Sequence, residues 1–319
     1  MLWLFDPASI FLQISLADPF LLSLSLIPLI GFYLLRAVRW KILLIPVNDS
    51  VKISNTFWTT NIGYLVNLII PVRFLGELIR AIIIDRKENV GFPQAVSSVA
   101  VERILDLLAI SILGLVGISL ASAQANIHPG ALDRITVIGS IGILMLFLVC
   151  VLIIGTKREK KLLSVTSKMI NFIPIIPKRF REKIYKFTAD LIIGAKGISH
   201  NPRIFTISLC LTMLIWLMQF ISIVLIFRAF EIQSPLSILL LGSMLIQLSF
   251  IFPAPPGFVG TYEAYWSIIF QGIGLTGSTT LLAAGIVSHI LNVSLLLVLG
   301  FIALSRTGMG FSKILKLKR

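Results

Sequence analysis

The chain has 319 residues, of which 57% are hydrophobic and 13% are charged, and its mean hydropathy is +0.98. Because soluble domains carry about 25% charged residues, this composition excludes a soluble globular protein and indicates an integral membrane protein. The net charge of +14 is concentrated between the apolar runs, where Lys and Arg report membrane orientation, so it does not indicate nucleic-acid binding. The two cysteines, Cys150 and Cys210, both lie in apolar runs and predict neither disulfides nor a metal site. No cofactor is expected.

Five apolar runs are long enough to cross about 30 Å of hydrocarbon as single helices. They cover residues 19–38, 95–120, 135–154, 204–227 and 280–304. Two further runs, 56–84 and 236–273, are interrupted by Pro and Gly, so each predicts two short helices instead of one continuous helix. The predicted fold is an all-α integral membrane protein, a polytopic helical bundle forming a single domain over residues 1–319.

The two interruptions have nearly the same sequence. IIPVRFLGELIR (69–80) and IFPAPPGFVGTY (251–262) share Pro, Phe and Gly when Pro71 is aligned with Pro255. Paired Gly/Pro-interrupted segments in the two halves of a chain are typical of a transporter's binding site.

The distribution of Lys and Arg orients these segments. Basic residues flank the first interrupted run: Arg36, Arg39, Lys41 and Lys52 before it, and Arg86 and Lys87 after it. The loop 156–203 holds twelve Lys and Arg against three acids, a net charge of +9 (12 − 3). The flanks of the second run hold one basic residue, Arg228. The positive-inside rule therefore predicts two re-entrant broken-helix hairpins that enter from opposite faces, with the N-terminus outside and the C-terminus in the cytoplasm. Alternatively, each half of an interrupted run crosses the whole membrane.

This topology is an inverted repeat. The first repeat covers about 19–120, and a linking span (135–154) and a cytoplasmic basic loop (156–203) connect it to the second repeat, about 204–304.

Charged residues inside the apolar runs form the candidate site, because a charge at the bilayer centre normally faces a bundle interior or a wet cavity. The first hairpin and the span after it carry six of them: Arg73, Glu77, Arg80, Glu102, Arg103 and Asp106. They either pair with one another to hold the hairpin against the span, or they form a site for an anion such as a phosphate. In the second case, the free N–H groups of the helix after Pro71 contribute to binding.

Glycines beside both interruptions belong to the same candidate substrate-binding set. Gly76 follows the first, and Gly257 and Gly260 open the helix that carries Glu263. They either give a ligand access to the backbone or permit close helix packing. In the last span, His289 and Asn292 are interpreted as an interior hydrogen-bonded pair in preference to a proton relay.

Four segments in order carry a family resemblance: AVRWKILL (37–44), RFLGELIRAIII (73–84), AVERILDLL (100–108) and PAPPGFVGTYEA (253–264). In combination they resemble the flippase-like membrane domain of lysylphosphatidylglycerol synthases, over the chain from about residue 20. The resemblance implies a prokaryotic cytoplasmic membrane and an anionic phospholipid or polyprenyl-linked lipid as cargo. Bifunctional members also have a soluble aminoacyltransferase domain. The sequence 1–319 does not resemble that domain, so only the translocation role is implied here.

We therefore expect a lipid flippase without a catalytic step, since no catalytic, metal or nucleotide-binding motif occurs in the sequence. One alternative is a non-catalytic membrane partner that docks a lipid-modifying enzyme through its basic loop; a homo-oligomer is also compatible with the sequence. Another alternative is a membrane-embedded glycosyltransferase. Such an enzyme would need carboxylates on a sizeable external loop, and Asp133 and Glu231 are too few for that role.

Overall fold

A computed structural model describes residues 6–70, 75–122, 201–252 and 254–308. Within these ranges the chain forms nine α-helices and no strand. The helices are α1 (Pro7–Leu16), α2 (Pro19–Leu44), α3 (Ile53–Ile69), α4 (Leu75–Glu88), α5 (Phe92–Ser122), α6 (Pro202–Ala229), α7 (Leu236–Ser249), α8 (Thr261–Gly272) and α9 (Ser278–Thr307). The predicted linking span 135–154 and most of the basic loop 156–203 lie outside the described residues.

Four helices are long and apolar enough to cross a membrane: α2, α5, α6 and α9. The prediction of an all-α integral membrane protein is therefore confirmed. Each helix extends beyond its predicted bounds, and α2 differs most, because it continues past Val38 to Leu44. It begins where Asp18 accepts hydrogen bonds from the Phe20 and Leu21 amides and Pro19 occupies the first turn, a favourable helix start. The short helix α1 was not predicted.

The first interrupted run is an antiparallel helical hairpin. Near its tip, the Gly76 amide donates to Asn67 Oδ1 at 2.8 Å, and at its open end Asn48 Nδ2 donates to the Glu88 carbonyl oxygen at 2.8 Å. The 14 residues of α4 span about 21 Å, which is shorter than the hydrocarbon thickness of about 30 Å. These lengths favour the re-entrant hairpin over two full crossings.

The second interrupted run, α7 and α8, is also a hairpin. Its tip contains a 3₁₀ turn (Pro256–Phe258), and the Phe250 and Phe258 rings pack with centroids 4.7 Å apart across it. Gly257 and Gly260 have φ of +67° and +79°, conformations that glycine adopts without strain. Glycine is therefore favoured at both positions.

The two hairpins open at opposite ends of the bundle. At one end of α2, the Asp18 amide donates to the Ala229 carbonyl oxygen at 2.9 Å, beside the open end of the second hairpin. At the other end, the Trp40 indole donates to Ser98 Oγ at 2.9 Å, beside the open end of the first. The 3₁₀ turn of the second hairpin contacts α3. Opposite entry is the arrangement that an inverted repeat predicts.

Candidate functional site

Seven charged side chains from α2, α4 and α5 converge inside the bundle, and we call them the arginine network. They are Arg36, Arg39, Glu77, Arg80, Glu102, Arg103 and Asp106. Six of the seven are less than 10% exposed. At about 1.5 Å per residue, the network lies about 8 to 21 Å from the helix ends at the open end of the first hairpin. The network therefore lies well inside the bundle, away from those helix ends.

Arg39 is the most enclosed member, with no exposed surface. Its guanidinium donates to Asp106 at 2.7 Å, to Thr212 Oγ1 at 2.9 Å and to Glu102 at 3.2 Å. These bonds join α2 to α5 and α6. Because charges this deep need partners, Arg39 is a structural connection between the three helices.

Arg80 attaches the first hairpin to the rest of the bundle. It pairs with Glu102 on α5, and its Nε lies 2.6 Å from Glu77 Oε2 on its own helix. Its guanidinium carbon lies 4.7 Å from the centroid of the Trp40 ring on α2, a cation–π distance. The predicted pairing between hairpin and span is therefore present.

Arg103 differs from the other arginines in its exposure. It pairs with Glu77 and lies 3.5 Å from Asp106, but 41% of its side chain is exposed. The network contains four arginines and three carboxylates, so its formal net charge is +1 (4 − 3). Arg103 is the most exposed arginine of the network.

Arg36 lies at the aromatic side of the network. It donates to the Tyr64 hydroxyl at 2.6 Å and lies 3.8 Å from Asp106. Its guanidinium carbon also lies 4.5 Å from the Phe32 ring centroid and 5.2 Å from that of Trp216.

The sequence interpretation of Arg36 and Arg39 was wrong, because it counted both among the basic residues that flank the first interrupted run and report its orientation. The structure buries both within α2. Helical spacing provides a signal that the interpretation missed: Arg36, Arg39 and Trp40 share one face of the helix, and Trp40 is fully buried. Arginines that share a helix face with a large aromatic ring are expected to pack inside the protein, whereas arginines of a solvated flank need no such neighbour.

The second hairpin carries a separate polar cluster. Glu263 Oε1 lies 2.7 Å from His289 Nδ1, and Glu263 Oε2 accepts the Gly260 amide at 2.8 Å. The Tyr262 ring stacks on the His289 ring at 4.6 Å, and the Tyr262 hydroxyl lies 3.1 Å from Ser288 Oγ. We call Tyr262, Glu263, Ser288 and His289 the Glu–His cluster.

The predicted pairing of His289 with Asn292 is wrong, since each has another partner. His289 meets Glu263, and Asn292 Oδ1 accepts the Tyr33 hydroxyl at 2.9 Å. Residues three apart lie on the same side of a helix, which is why the pair was expected. In the structure, the hydrogen-bond partners of both residues come instead from other helices that pack against that side.

The glycines contribute packing and capping instead of open amides. A Cβ at Gly76 would overlap the Gly63 carbonyl oxygen and the Asn67 side chain, so Gly76 permits close helix contact. Its amide is bonded to Asn67, and the Gly260 amide is bonded to Glu263. Of the two explanations for Gly76, the structure favours packing.

The predicted site residues therefore separate into two groups. Gly76, Glu77, Arg80, Glu102, Arg103 and Asp106 lie together, and Gly257, Gly260 and Glu263 lie at the second hairpin. Arg73 lies outside the described residues. Within the described ranges, no group of three or more His, Cys, Asp or Glu is placed to hold a metal ion.

Three relatives of the chain have names, and two of these names describe membrane proteins. Two proteins of Methanothermobacter thermautotrophicus are each named "UPF0104 membrane protein". One is 24% identical over 87% of this chain and 80% of its own length. The other is 21% identical over 98% of this chain and 93% of its own length. A protein of Haloferax volcanii named "Glycosyltransferase AglD" is 22% identical over 89% of this chain but 48% of its own length. No solved structure matches the chain.

One family model matches most of the chain. It is the model of the lysylphosphatidylglycerol synthase TM region, and it covers residues 1–300, including α1. The four ordered segments 37–44, 73–84, 100–108 and 253–264 lie inside this match. The chain thus belongs to the family of the lysylphosphatidylglycerol synthase TM region.

Proposed function

We propose that the protein is a lipid flippase that moves an anionic phospholipid or a polyprenyl-linked lipid across a prokaryotic cytoplasmic membrane, without a catalytic step of its own. The observation that carries the proposal is the arginine network. It brings four guanidinium groups and three carboxylates together in the interior of the bundle. In a membrane protein, charged groups in such a position usually mark a substrate or ion pathway.

The surrounding geometry supports transport. Two short hairpins open at opposite ends of the bundle, and the tip of the second contacts the first. Transporters with inverted repeats bind their substrates near the bilayer midplane, where broken helices meet, and alternate access by rocking one repeat against the other. In our proposal, an anionic headgroup contacts Arg103 and the acyl chains stay in the lipid.

The orientation of the protein is part of the proposal. The positive-inside rule places the basic loop 156–203 and the open end of the first hairpin in the cytoplasm and the N-terminus outside. The arginine network then lies on the cytoplasmic side of the midplane, and the Glu–His cluster lies on the external side.

Reconstituted protein tests the proposal directly. Vesicles of phosphatidylcholine contain a trace of fluorescent phosphatidylglycerol, and dithionite added outside quenches the label in the outer leaflet. Wild-type protein should expose the inner-leaflet label. Arg103→Gln should slow this movement by about tenfold, equivalent to about 1.4 kcal/mol.

Arg228→Gln is the matched control, because Arg228 is exposed at the end of α6, away from the network. It should move lipid at the wild-type rate. Wild-type protein that moves neither phosphatidylglycerol nor a polyprenyl-linked lipid, under any imposed gradient, would refute the proposal.

A second candidate function is supported by the name of the Haloferax volcanii relative, a glycosyltransferase, of which this chain covers 48%. Sugar transfer by the purified protein from a lipid-linked sugar would favour it over the flippase.

A further inference from the structure

We infer that the Glu–His cluster is a proton-binding site that couples lipid movement to a proton gradient. The inference rests on the proposed function and adds its energy source. In the described part of the chain, the charged groups of the arginine network are arginines and carboxylates. Arginine stays charged at any physiological pH, so the arginines of this network carry a fixed charge and do not bind or release protons. The second hairpin instead presents a histidine, the side chain whose charge changes most readily near neutral pH.

The cluster has the position that a proton-coupled transporter requires. Glu263 lies about 14 Å from the end of α8, and His289 about 17 Å from the start of α9, so both lie near mid-depth. Both are buried, with 8% and 9% of their surfaces exposed. Ionisable residues at this depth form the proton relays of pumps and transporters.

The contacts define the charge change. Glu263 is bonded to His289 Nδ1 and to the Gly260 amide, and it lies in the first turn of α8, where the helix dipole favours a carboxylate. With a neutral imidazole, the pair has a net charge of −1. Since Nδ1 faces the carboxylate, the added proton binds Nε2, and the imidazolium–carboxylate pair then has no net charge.

Among the described residues, few other groups lie on helices that could compete for the proton. The helices that pack against α8 or α9 are α1, α2, α3, α6 and α7, and α1, α3 and α7 carry no Asp, Glu, Lys, Arg or His. Besides Glu263 and His289, the titratable or charged groups on these helices and on α8 and α9 are Tyr33, Arg36, Arg39 and Lys41 on α2, Tyr64 on α3, Arg203, Cys210 and Arg228 on α6, Tyr262 and Tyr265 on α8 and Arg306 on α9. Arg36 and Arg39 pair with the arginine network, and Arg203, Arg228 and Arg306 lie near helix ends.

The cluster is placed to transmit its charge state to both repeats. Glu263 caps α8 through Gly260, so its ionisation affects the tip of the second hairpin. One turn beyond His289, Asn292 accepts the Tyr33 hydroxyl of α2. Moving a hairpin with a net charge through a medium of low dielectric costs more than moving a neutral one, so proton binding permits the second hairpin to rock.

The experiment uses the vesicles described above, loaded with a pH-sensitive dye and given a pH difference across the membrane. Wild-type protein should move fluorescent phosphatidylglycerol at least threefold faster with the gradient than without it, and the dye should report proton movement that depends on the lipid. A protonophore should abolish the difference. His289→Asn removes the imidazole that binds the added proton, so its lipid movement should be the same with and without the gradient.

Glu231→Gln is the control, since Glu231 is an exposed carboxylate in the turn after α6, and it should keep the wild-type response. Lipid movement by the wild type that ignores the gradient and moves no protons would overturn the inference and leave the flippase proposal intact. Absence of lipid movement under all conditions would instead refute the flippase proposal.

Proton binding is also measurable without transport. The chain has three histidines, so nitrogen NMR of histidine-labelled protein gives few signals, and His289→Asn assigns the one of interest. Proton binding should change the nitrogen shifts of that signal when the pH is lowered, and Glu263→Gln should alter that change. A His289 signal that does not change with pH would overturn the inference, whatever the lipid assay shows.

Discussion

Replacing Arg39 by Met should destabilise the bundle far more than replacing Arg103 by Met, although both arginines contact Asp106. Arg39 is fully buried and makes hydrogen bonds of 2.7 to 3.2 Å to α5 and α6. Without it, the cationic partners that Asp106 retains in the described part of the chain are Arg103 at 3.5 Å and Arg36 at 3.8 Å. Removing one partner of a buried ion pair costs about 3 to 5 kcal/mol, and we expect Arg39→Met to fall in that range.

Arg103→Met should cost about 1 kcal/mol or less. Its side chain is 41% exposed, and exposed ion pairs contribute about 0 to 1 kcal/mol. Its partner Glu77 retains Arg80, with Nε at 2.6 Å. The two substitutions should also differ in transport, where Arg103→Met is expected to be the defective variant that remains folded.

The assay is the free energy of unfolding, measured by SDS titration in mixed micelles with the fluorescence of the five tryptophans. The double variant Arg39→Met/Asp106→Asn should lose at least 1 kcal/mol less than the sum of the single losses, because it removes both partners of one contact. Equal losses for Arg39→Met and Arg103→Met, or strictly additive losses in the double variant, would refute the assignment of Arg39 as the structural connection.

Three further outcomes follow from the fold. Gly76→Ala should destabilise the first hairpin by about 1 to 3 kcal/mol through overpacking. Gly114→Ala is the control, because its added Cβ would lie 3.8 Å from the nearest atom, and it should leave the unfolding free energy nearly unchanged. Similar losses for the two variants would contradict the close contact at Gly76. Tyr33→Phe should cost about 1 kcal/mol, because it removes one donor to Asn292, and an unchanged unfolding free energy would mean that this bond contributes no net stability. In a variant without native cysteines, an impermeant maleimide applied to intact cells should label Thr276→Cys, but it should label Arg86→Cys only after permeabilisation; labelling of both from one side would contradict opposite entry of the hairpins.

The repeat topology was largely predictable, because the signals that define it are local. Apolar length identified the four described spans, and Pro71 and Pro255 with their neighbouring glycines marked both hairpins. Charge bias assigned the hairpins to opposite ends, and the helix contacts agree with that assignment. The candidate site was predicted less completely. Glu77, Arg80, Glu102, Arg103 and Asp106 were expected to meet and do, but Arg36 and Arg39 were read as topology signals.

The sequence by itself determined that this protein is a helical membrane protein with two interrupted runs, and its ordered motifs indicated the family. Hydropathy, Pro/Gly interruptions and charge bias are each defined by one segment or one loop of the sequence. They can therefore be recognised without knowing which helices are in contact. Only the tertiary structure decided which charges pair. Arg39 and Thr212 are 173 positions apart, and Tyr33 and Asn292 are 259 apart, so no local pattern brings them together. Burial requires each charged side chain to find a partner, and the packing of distant helices supplies it.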